Sequence, residues 1–532
     1  MWDCYPRPQL RRKEWQNLNG TWEVNGVMQE VPAARTEEQL FYERSFDFHR
    51  EKARVLLHFG AADQTARVTL NGQYLGEHLG GYLPFTFEIT DAVAEGTNVL
   101  QVEVTDTLNH TYPYGKQTKK PGGMWYTPVS GIWQTVWIEQ VPESYIQSVR
   151  ITPDLQGVIL EIQVKSGEET YIRKERVEPS HPQSWTPEHP KLYTYTVTEG
   201  EDLCEIYYAL RTIDIREING IRRVCLNGQP IFLHGVLDQG YFDPGRFLPA
   251  SPKAYVQDIR ELKALGFNLL RKHIKLEPEV FYAACDRLGI LVMQDMVNSG
   301  DYRFFRDTLL GTLGFHWKDI KTDTDERMSF FISHCEESLA ALYNHPSVCL
   351  YTIFNEGWGQ FNSDMLYTLL KTQDPTRLYD AASGWFQQKK SDFDSRHVYF
   401  RLKKLKPKIR PMLLSECGGY TLNLRGSKKT YGYGAAKDQE ELTKKIVNLY
   451  ENMVIPAVKK GLCGCIYTQL SDIEEEINGL FTYDRKDCKV IPEQLLRISE
   501  KLRAELNTAV SSNSVRRCKT GSIRRKASGG GE

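Results

Sequence analysis

No run of about 18 consecutive apolar residues occurs in the 532-residue sequence, so no segment reads as a membrane-spanning helix. An excess of one charge is also missing. The 67 Lys and Arg stand against 68 Asp and Glu, which leaves no global field to draw the chain to nucleic acid or an anionic membrane. The 11 cysteines form no C-x-x-C pair and scatter from Cys4 to Cys518. That pattern fits free thiols in a reducing compartment better than a disulfide framework. Cys463 and Cys465 alternate with Gly464 on one expected strand, and no metal site is expected. The opening segment MWDCYPRPQLRRKEW lacks the apolar run of a secretory signal, so a cytoplasmic location is expected. No G-x-G-x-x-G opens a helix, and no organic cofactor is expected.

What is present describes a globular chain with large cores: 41% hydrophobic, 25% charged and 11% aromatic. Its length implies roughly two to four domains. The 10 Trp and 28 Tyr supply flat rings that suit the C–H faces of sugars, although most such rings serve as core.

Residues 1–141 read as all-β. Short alternating runs at Gln39–Phe46, Arg54–Phe59, Ala66–Leu70, Val99–Val104 and Gln134–Ile138 are divided by Gly turns, which favours a jelly-roll sandwich. Residues 142–214 continue the β pattern around a Pro-rich turn at Pro179–Pro190. An immunoglobulin-like sandwich takes about 100 residues, so a short, strand-poor version is expected here. Residues 215–506 alternate strands with helices. Strands are expected at Ile231–Val236, Phe267–Leu270, Ile290–Met293, Val348–Phe354, near Leu378, His397 and Met412, and at Cys463–Tyr467. Helices are expected at Pro252–Leu265, Pro278–Leu288, Asp325–Tyr343, Gln439–Lys459 and Glu493–Leu506. About eight β/α units fit a closed (β/α)8 TIM barrel, with a doubly wound sheet as the alternative. Residues 507–532, rich in Ser, Gly and Arg, are expected to be a disordered basic tail.

Two glutamates stand out in the barrel. In TIFNEGWG (Thr352–Gly359), Glu356 follows a buried strand; in PMLLSECGG (Pro411–Gly419), Glu416 ends another. The carboxyl end of a barrel strand is where this architecture keeps its chemistry. Two such carboxyls suit the acid/base and nucleophile pair of a retaining glycosidase, which sets them about 5–5.5 Å apart, against about 6.5–9.5 Å for inversion. A carboxyl that protonates a leaving oxygen must hold its proton near neutral pH, which burial and a neighbouring carboxylate favour. The plainer roles are a helix-start residue for Glu356 and a cap before Gly418 for Glu416.

Several segments, in this order, resemble glycoside hydrolase family 2, which contains β-galactosidases, β-glucuronidases and β-mannosidases. They are GGYLPFTFEIT (Gly80–Thr90), SGIWQTVWIE (Ser130–Glu139), WTPEHPKLYT (Trp185–Thr194) and FNLLRKHIKLEPEVFYAACDRLGILV (Phe267–Val292), then NEGWGQ and SECGG. The resemblance implies a retaining exo-β-glycosidase with Glu356 as acid/base and Glu416 as nucleophile. It places Arg271 against the nucleophile and the Asn355 amide on the sugar 2-hydroxyl. His273 and His397 are candidates for substrate contact or for structural bonds. Tyr399 either donates to Glu416 or packs. Trp358 and Trp385 are stacking platforms or core. Asp238, Asp295 and Asp380 either grip hydroxyls or cap loops. The implied partner is a β-glycoside or oligosaccharide, and an oligomer is possible. A catalytically silent carbohydrate-binding or scaffold protein and a transglycosylase are the alternatives. The chain also departs from better-known members: it has Tyr467 where a tryptophan is frequent, a long insert from Gln294 to Trp317, and no Asn-x-Lys element of the kind glucuronidases use for a sugar carboxylate.

Overall fold

A computed structural model describes residues 2–312, 319, 324–399, 401–407, 409–426 and 429–511. The amino-terminal part is a sandwich of a six-stranded and a four-stranded antiparallel sheet. Its longest strand, Gln39–Phe48, alternates exposed and buried side chains, so Leu40, Tyr42, Phe46 and Phe48 all face inward. They meet Trp22, Leu57, Phe59, Val102 and Ile138 in one core. The middle part pairs a three-stranded meander, Ser144–Pro153, Val158–Ser166 and Glu169–Val177, with the hairpin Tyr193–Glu199 and Asp202–Tyr208. It is the strand-poor sandwich expected, closed over Ile151, Leu160, Ile162, Val197 and Ile206.

A small sheet, Ile213–Ile218, Ile221–Leu226 and Gln229–Pro230, comes next. Its Val224 and Leu226 pack on Leu233, Leu269, Leu291 and Leu413, which plugs the amino-terminal end of the barrel. The barrel strands are β1 (Leu233–Asp238), β2 (Leu269–Lys272), β3 (Leu291–Asp295) and β4 (Val348–Asn355). They continue as β5 (Leu378–Ser383), β6 (Asp394–Val398), β7 (Met412–Gly418) and β8 (Leu462–Thr468). All eight are parallel, and the backbone ladder runs unbroken from β5 through β1 and β8 to β6. Between β5 and β6 there is a seam.

Alternation along the strands makes the barrel interior layered. Leu269, Leu350, Leu378 and Leu413 form an apolar floor. Two residues further along the same strands stand Arg271, Thr352, Asp380 and Ser415, all buried, so the interior turns polar just below the mouth.

Two helices differ from expectation. The span Gln439–Lys459 is an α-helix to Leu449, a π-helical turn at Tyr450–Val454 and a last α turn at Ile455–Val458. Pro456 offers no N–H to the helical ladder, and the wider turn absorbs the missing bond. The final helix, Pro492–Ser511, runs past Leu506 into the segment expected to be disordered. Its end is held by the Asn219 side-chain amide, which donates to the Val510 carbonyl at 2.7 Å. The rest of the expected tail, 512–532, lies outside the described residues. Among the described residues, no helix is long and apolar enough to cross a membrane.

The sandwich also reaches the barrel mouth through its 106–130 loop. Tyr114 N–H donates to the Asn298 carbonyl at 3.0 Å and its hydroxyl to the Gly300 carbonyl at 2.9 Å. Thr127 N–H donates to Glu474, Gly123 N–H to Glu475, and the Tyr126 hydroxyl to Glu476. One wall of the mouth is therefore made by a different domain.

Candidate active site

Glu356 and Glu416 arrive at the mouth from β4 and β7 and face each other. Their nearest carboxyl oxygens and a His397 ring nitrogen all lie within 4.8 Å of one another. Glu356 sits directly after β4 with φ +55°, a left-handed conformation that is strained for a side-chain-bearing residue. The turn is held by the Trp385 indole, which donates to the Glu356 carbonyl at 3.1 Å. His397 fills the gap between the two carboxyls. Its Nδ1 is 2.8 Å from Glu356 Oε1, and its Nε2 is 3.4 Å from Glu416 Oε1. Gly384, at φ +87°, makes room for it, since a Cβ there would come within 2.8 Å of the ring.

Glu416 is ringed by donors. Arg271 Nη1 donates to its Oε1 at 3.0 Å, and the Tyr399 hydroxyl donates to its Oε2. Burial raises this carboxyl, but His397, Arg271, His273 and Tyr399 outweigh it and hold the group well below the ordinary glutamate value, so it is an anion. Tyr399 stays a donor because burial and the adjacent Glu416 charge push its phenol up. Arg271 is itself locked in place. Its Nε donates to Asp295 at 2.9 Å, its Nη1 also to the Ser415 carbonyl at 2.9 Å, and its Nη2 to Asn355 Oδ1 at 2.9 Å. Asp295 in turn bonds His273 Nδ1 at 2.6 Å, which leaves the other ring nitrogen for an occupant.

The nine residues singled out in the sequence thus divide. Glu356, Glu416, Asn355, Arg271, His397 and Tyr399 form one connected cluster, with His273 attached through Asp295. Trp385 stands edge-on to His397 at 5.4 Å and is 8% exposed. Trp358 is packed: it is 3% exposed, wedged between Tyr114, Trp125 and Tyr302, with its N–H donating to the Gly300 carbonyl at 2.8 Å. Its packing matches the core alternative of the two roles expected for it. Of the three aspartates, Asp295 orients Arg271, Asp238 bonds Lys272, and Asp380 lies buried in the polar layer.

Sequence reasoning missed the wall residues Lys116, Trp125 and Tyr126 from the sandwich loop, and Tyr431, Tyr433 and Glu476 from the loops after β7 and β8. Tyr433 stacks on Tyr399 with centroids 4.3 Å apart, and Lys116 Nζ lies 6.0 Å from the Trp125 ring centre. No motif marks them, because they enter the pocket from loops far away in the chain.

A family model described as "Glycosyl hydrolases family 2, TIM barrel domain" matches residues 217–493, and one described as "Glycosyl hydrolase 2 galactose-binding domain-like" matches residues 28–135. A β-galactosidase of Thermoanaerobacter pseudethanolicus is 27% identical over 284 residues, 46% of this chain and 37% of that protein. A putative β-glucuronidase of Formosa agariphila is 24% identical over 386 residues, 65% of this chain and 43% of that protein. The chain therefore spans only about two fifths of these curated relatives. Among solved structures, a β-D-glucuronidase of Dictyoglomus thermophilum superposes with a TM-score of 0.74 at 18% identity, covering 94% of this chain and 98% of that one. A β-galacturonidase of Eisenbergiella tayi bound to galacturonate gives 0.72 at 18%, covering 93% and 98%. With more than half of its length matched by the barrel model, the chain belongs to glycosyl hydrolase family 2.

Proposed function

We propose that the chain is a retaining exo-β-glycosidase working by double displacement. The observation that carries this reading is the spacing of Glu356 and Glu416, whose nearest oxygens lie within 4.8 Å, which supports the short separation of a retaining pair over the wider one of an inverting pair. Glu416, anionic between Arg271 and Tyr399, attacks the anomeric carbon while Glu356 protonates the departing oxygen. Glu356 then takes a proton from the water that breaks the glycosyl ester, so the sugar leaves with its original anomeric configuration. Asn355, held by Arg271, is placed for the 2-hydroxyl. The wall formed by the 106–130 loop favours removal of a terminal sugar over cleavage within a chain.

The sugar is proposed to be a uronic acid. Some of the relatives named above are a glucuronidase and a galacturonidase, and Lys116 supplies the matching charge at the mouth. Its half-buried ammonium has no hydrogen-bond or ion-pair partner among the described residues, and it pulls on both His273 and Glu476. This residue would stand in for the absent Asn-x-Lys element.

A panel of aryl β-glycosides tests both statements. Turnover with retained configuration by NMR, and loss of at least about 10⁴-fold in kcat for Glu416→Ala with an unchanged unfolding midpoint, are expected. No turnover on any glycoside would return the chain to the silent binding alternative. Uronides are expected to exceed neutral glycosides in kcat/KM, and Lys116→Met to erase that ratio.

A further inference from the structure

Ten cysteines lie among the described residues, all of them free thiols, and none has a place in the double displacement. Two of them meet. Cys417 Sγ on β7 is 3.3 Å from Cys465 Sγ on β8, and both residues are fully buried. Cys417 Sγ also donates to the Ile466 carbonyl at 3.4 Å.

The path of β7 explains why the pair sits there. Leu413 faces the barrel interior and Leu414 the outer core. Ser415 turns inward again, its Oγ 2.6 Å from Ser395 Oγ and 3.1 Å from Ser383 Oγ. Strict alternation would then turn Glu416 out and Cys417 in. The ladder slips instead: Leu414 pairs with Cys465 and Cys417 with Tyr467, three steps on β7 against two on β8. This bulge lets Ser415 and Glu416 both face inward, and it delivers Cys417 to the outer core that holds Cys465 and Tyr450. The irregularity that aims the nucleophile therefore also brings the two sulfurs together, directly behind it.

We propose that Cys417 and Cys465 are an oxidation site, at which a hydroperoxide converts the two thiols to a disulfide and draws Glu416 out of position. The second half rests on the nucleophile role given above to Glu416. One sulfur, as thiolate, attacks a peroxide oxygen; the O–O bond breaks, and the departing hydroxide takes up the thiol proton and leaves as water. The product is a sulfenic acid. The other sulfur attacks the first, the S–O bond breaks, and a second water leaves with the remaining thiol proton. Two thiols and one hydrogen peroxide give one disulfide and two waters, and the sulfurs lose the two electrons that the peroxide gains. A dithiol reduces the bond by exchange. Burial and the adjacent sulfur push the Cys417 thiol up, so at rest the pair is a dithiol.

A disulfide holds its sulfurs about 2.05 Å apart, so the pair must close by about 1.2 Å. The bulge, where the ladder is already interrupted, is the part of β7 that can give. One Arg271 nitrogen holds both the Ser415 carbonyl, at 2.9 Å, and Glu416 Oε1, at 3.0 Å. Movement of this segment pulls the nucleophile from its donor.

The protein is treated with hydrogen peroxide, alkylated and digested without reductant, and mass spectrometry searches for the Cys417 peptide joined to the Cys465 peptide. That linked pair is expected, together with a fall in kcat on an aryl β-glycoside of about 10- to 100-fold, the cost of a displacement of about 1 Å at a reacting group. Dithiothreitol should undo both, which it does not do for oxidised methionine or for sulfinic and sulfonic acids. Cys463→Ala, altered two residues away on the same strand, should respond as the wild type does. Cys465→Ala should keep its rate in peroxide; should it not fold, the wild-type peptide map carries the decision. No linked pair, or an equal loss of rate in Cys465→Ala, overturns the site. A linked pair with unchanged kcat overturns its effect on Glu416. If the untreated wild type cleaves no glycoside, the glycosidase reading fails by itself, and the peptide map still decides the bond.

Discussion

Two fully buried carboxylates in this molecule have opposite surroundings. Glu139, where the two sandwiches meet, accepts from the Tyr5 hydroxyl at 2.6 Å, Arg7 at 2.9 Å, Arg12 at 2.6 Å and the Trp137 indole at 3.0 Å. Burial raises it, but Arg7, His58, Arg12 and Tyr5 prevail and hold it far below the ordinary glutamate value. Arg12 continues to Asp202 of the second sandwich at 2.7 Å, so this charge staples the amino-terminal segment to two domains. Among the described residues Asp380 has no hydrogen-bond partner, and burial pushes it up to about 6. The junction spends its donors on one permanent anion. The polar layer of the barrel keeps a carboxyl near the point where it changes charge. A buried carboxylate ringed by donors stays an anion; one without them is held where it can change charge.

The largest expected effect tests the first half of the contrast. Glu139→Gln keeps the shape but takes the counter-charge from Arg7 and leaves Arg12 with Asp202 alone, which should cost about 3–5 kcal/mol in urea unfolding. Because the native carboxyl is depressed, its contribution is complete above the ordinary glutamate value and fades as pH falls below it. The kcat per folded molecule should not change; a loss below about 1 kcal/mol would break the comparison.

Asp380→Asn should move stability the other way. A raised carboxyl binds its proton more tightly folded than unfolded, so stability falls as pH rises from 3.8 toward about 6 and stays lower above that. Removing the ionisable group should therefore stabilise the protein by about 1–3 kcal/mol at pH 8, with the gain shrinking at pH 5. Destabilisation at pH 8 would contradict it.

Much of this was legible in the sequence and some of it was not, for physical reasons. Strand alternation in Gln39–Phe48 and the apolar runs before Glu356 and Glu416 announce the sandwich and the barrel, because burial on one or both faces writes itself into residue spacing. Glu356 and Glu416 stand at strand ends, where architecture alone makes them candidates, whereas Arg271 was offered only by the family resemblance. The Ser383–Ser415–Ser395 chain carries no spacing signal, since it joins three strands across a seam that only closure of the barrel creates. Lys116 and Trp125 are likewise silent until the sandwich loop folds over the mouth. Trp358 was visible but its role was not, since a tryptophan beside a catalytic residue reads alike whether it packs or stacks.

Glu476 falls between the two extremes and gives the smallest test. It accepts from the Tyr126 hydroxyl and from Asn478 Nδ2, the latter at 3.0 Å. Burial raises it, while Lys116, Tyr126 and Asn478 only partly offset that rise. Tyr126→Phe takes away the donor supplied by the sandwich loop and moves Glu476 toward the condition of Asp380. The loss should be about 1–2 kcal/mol at pH 8, less than for Glu139→Gln, because one donor remains. It should shrink at pH 5, since a raised carboxyl can answer the lost donor by taking a proton, an escape closed to Glu139 among its arginines. Tyr126 also anchors the loop that carries Lys116, so KM should rise more than kcat falls. A loss that is equal at both pH values would place Glu476 with the permanent anions and leave Asp380 without an intermediate case.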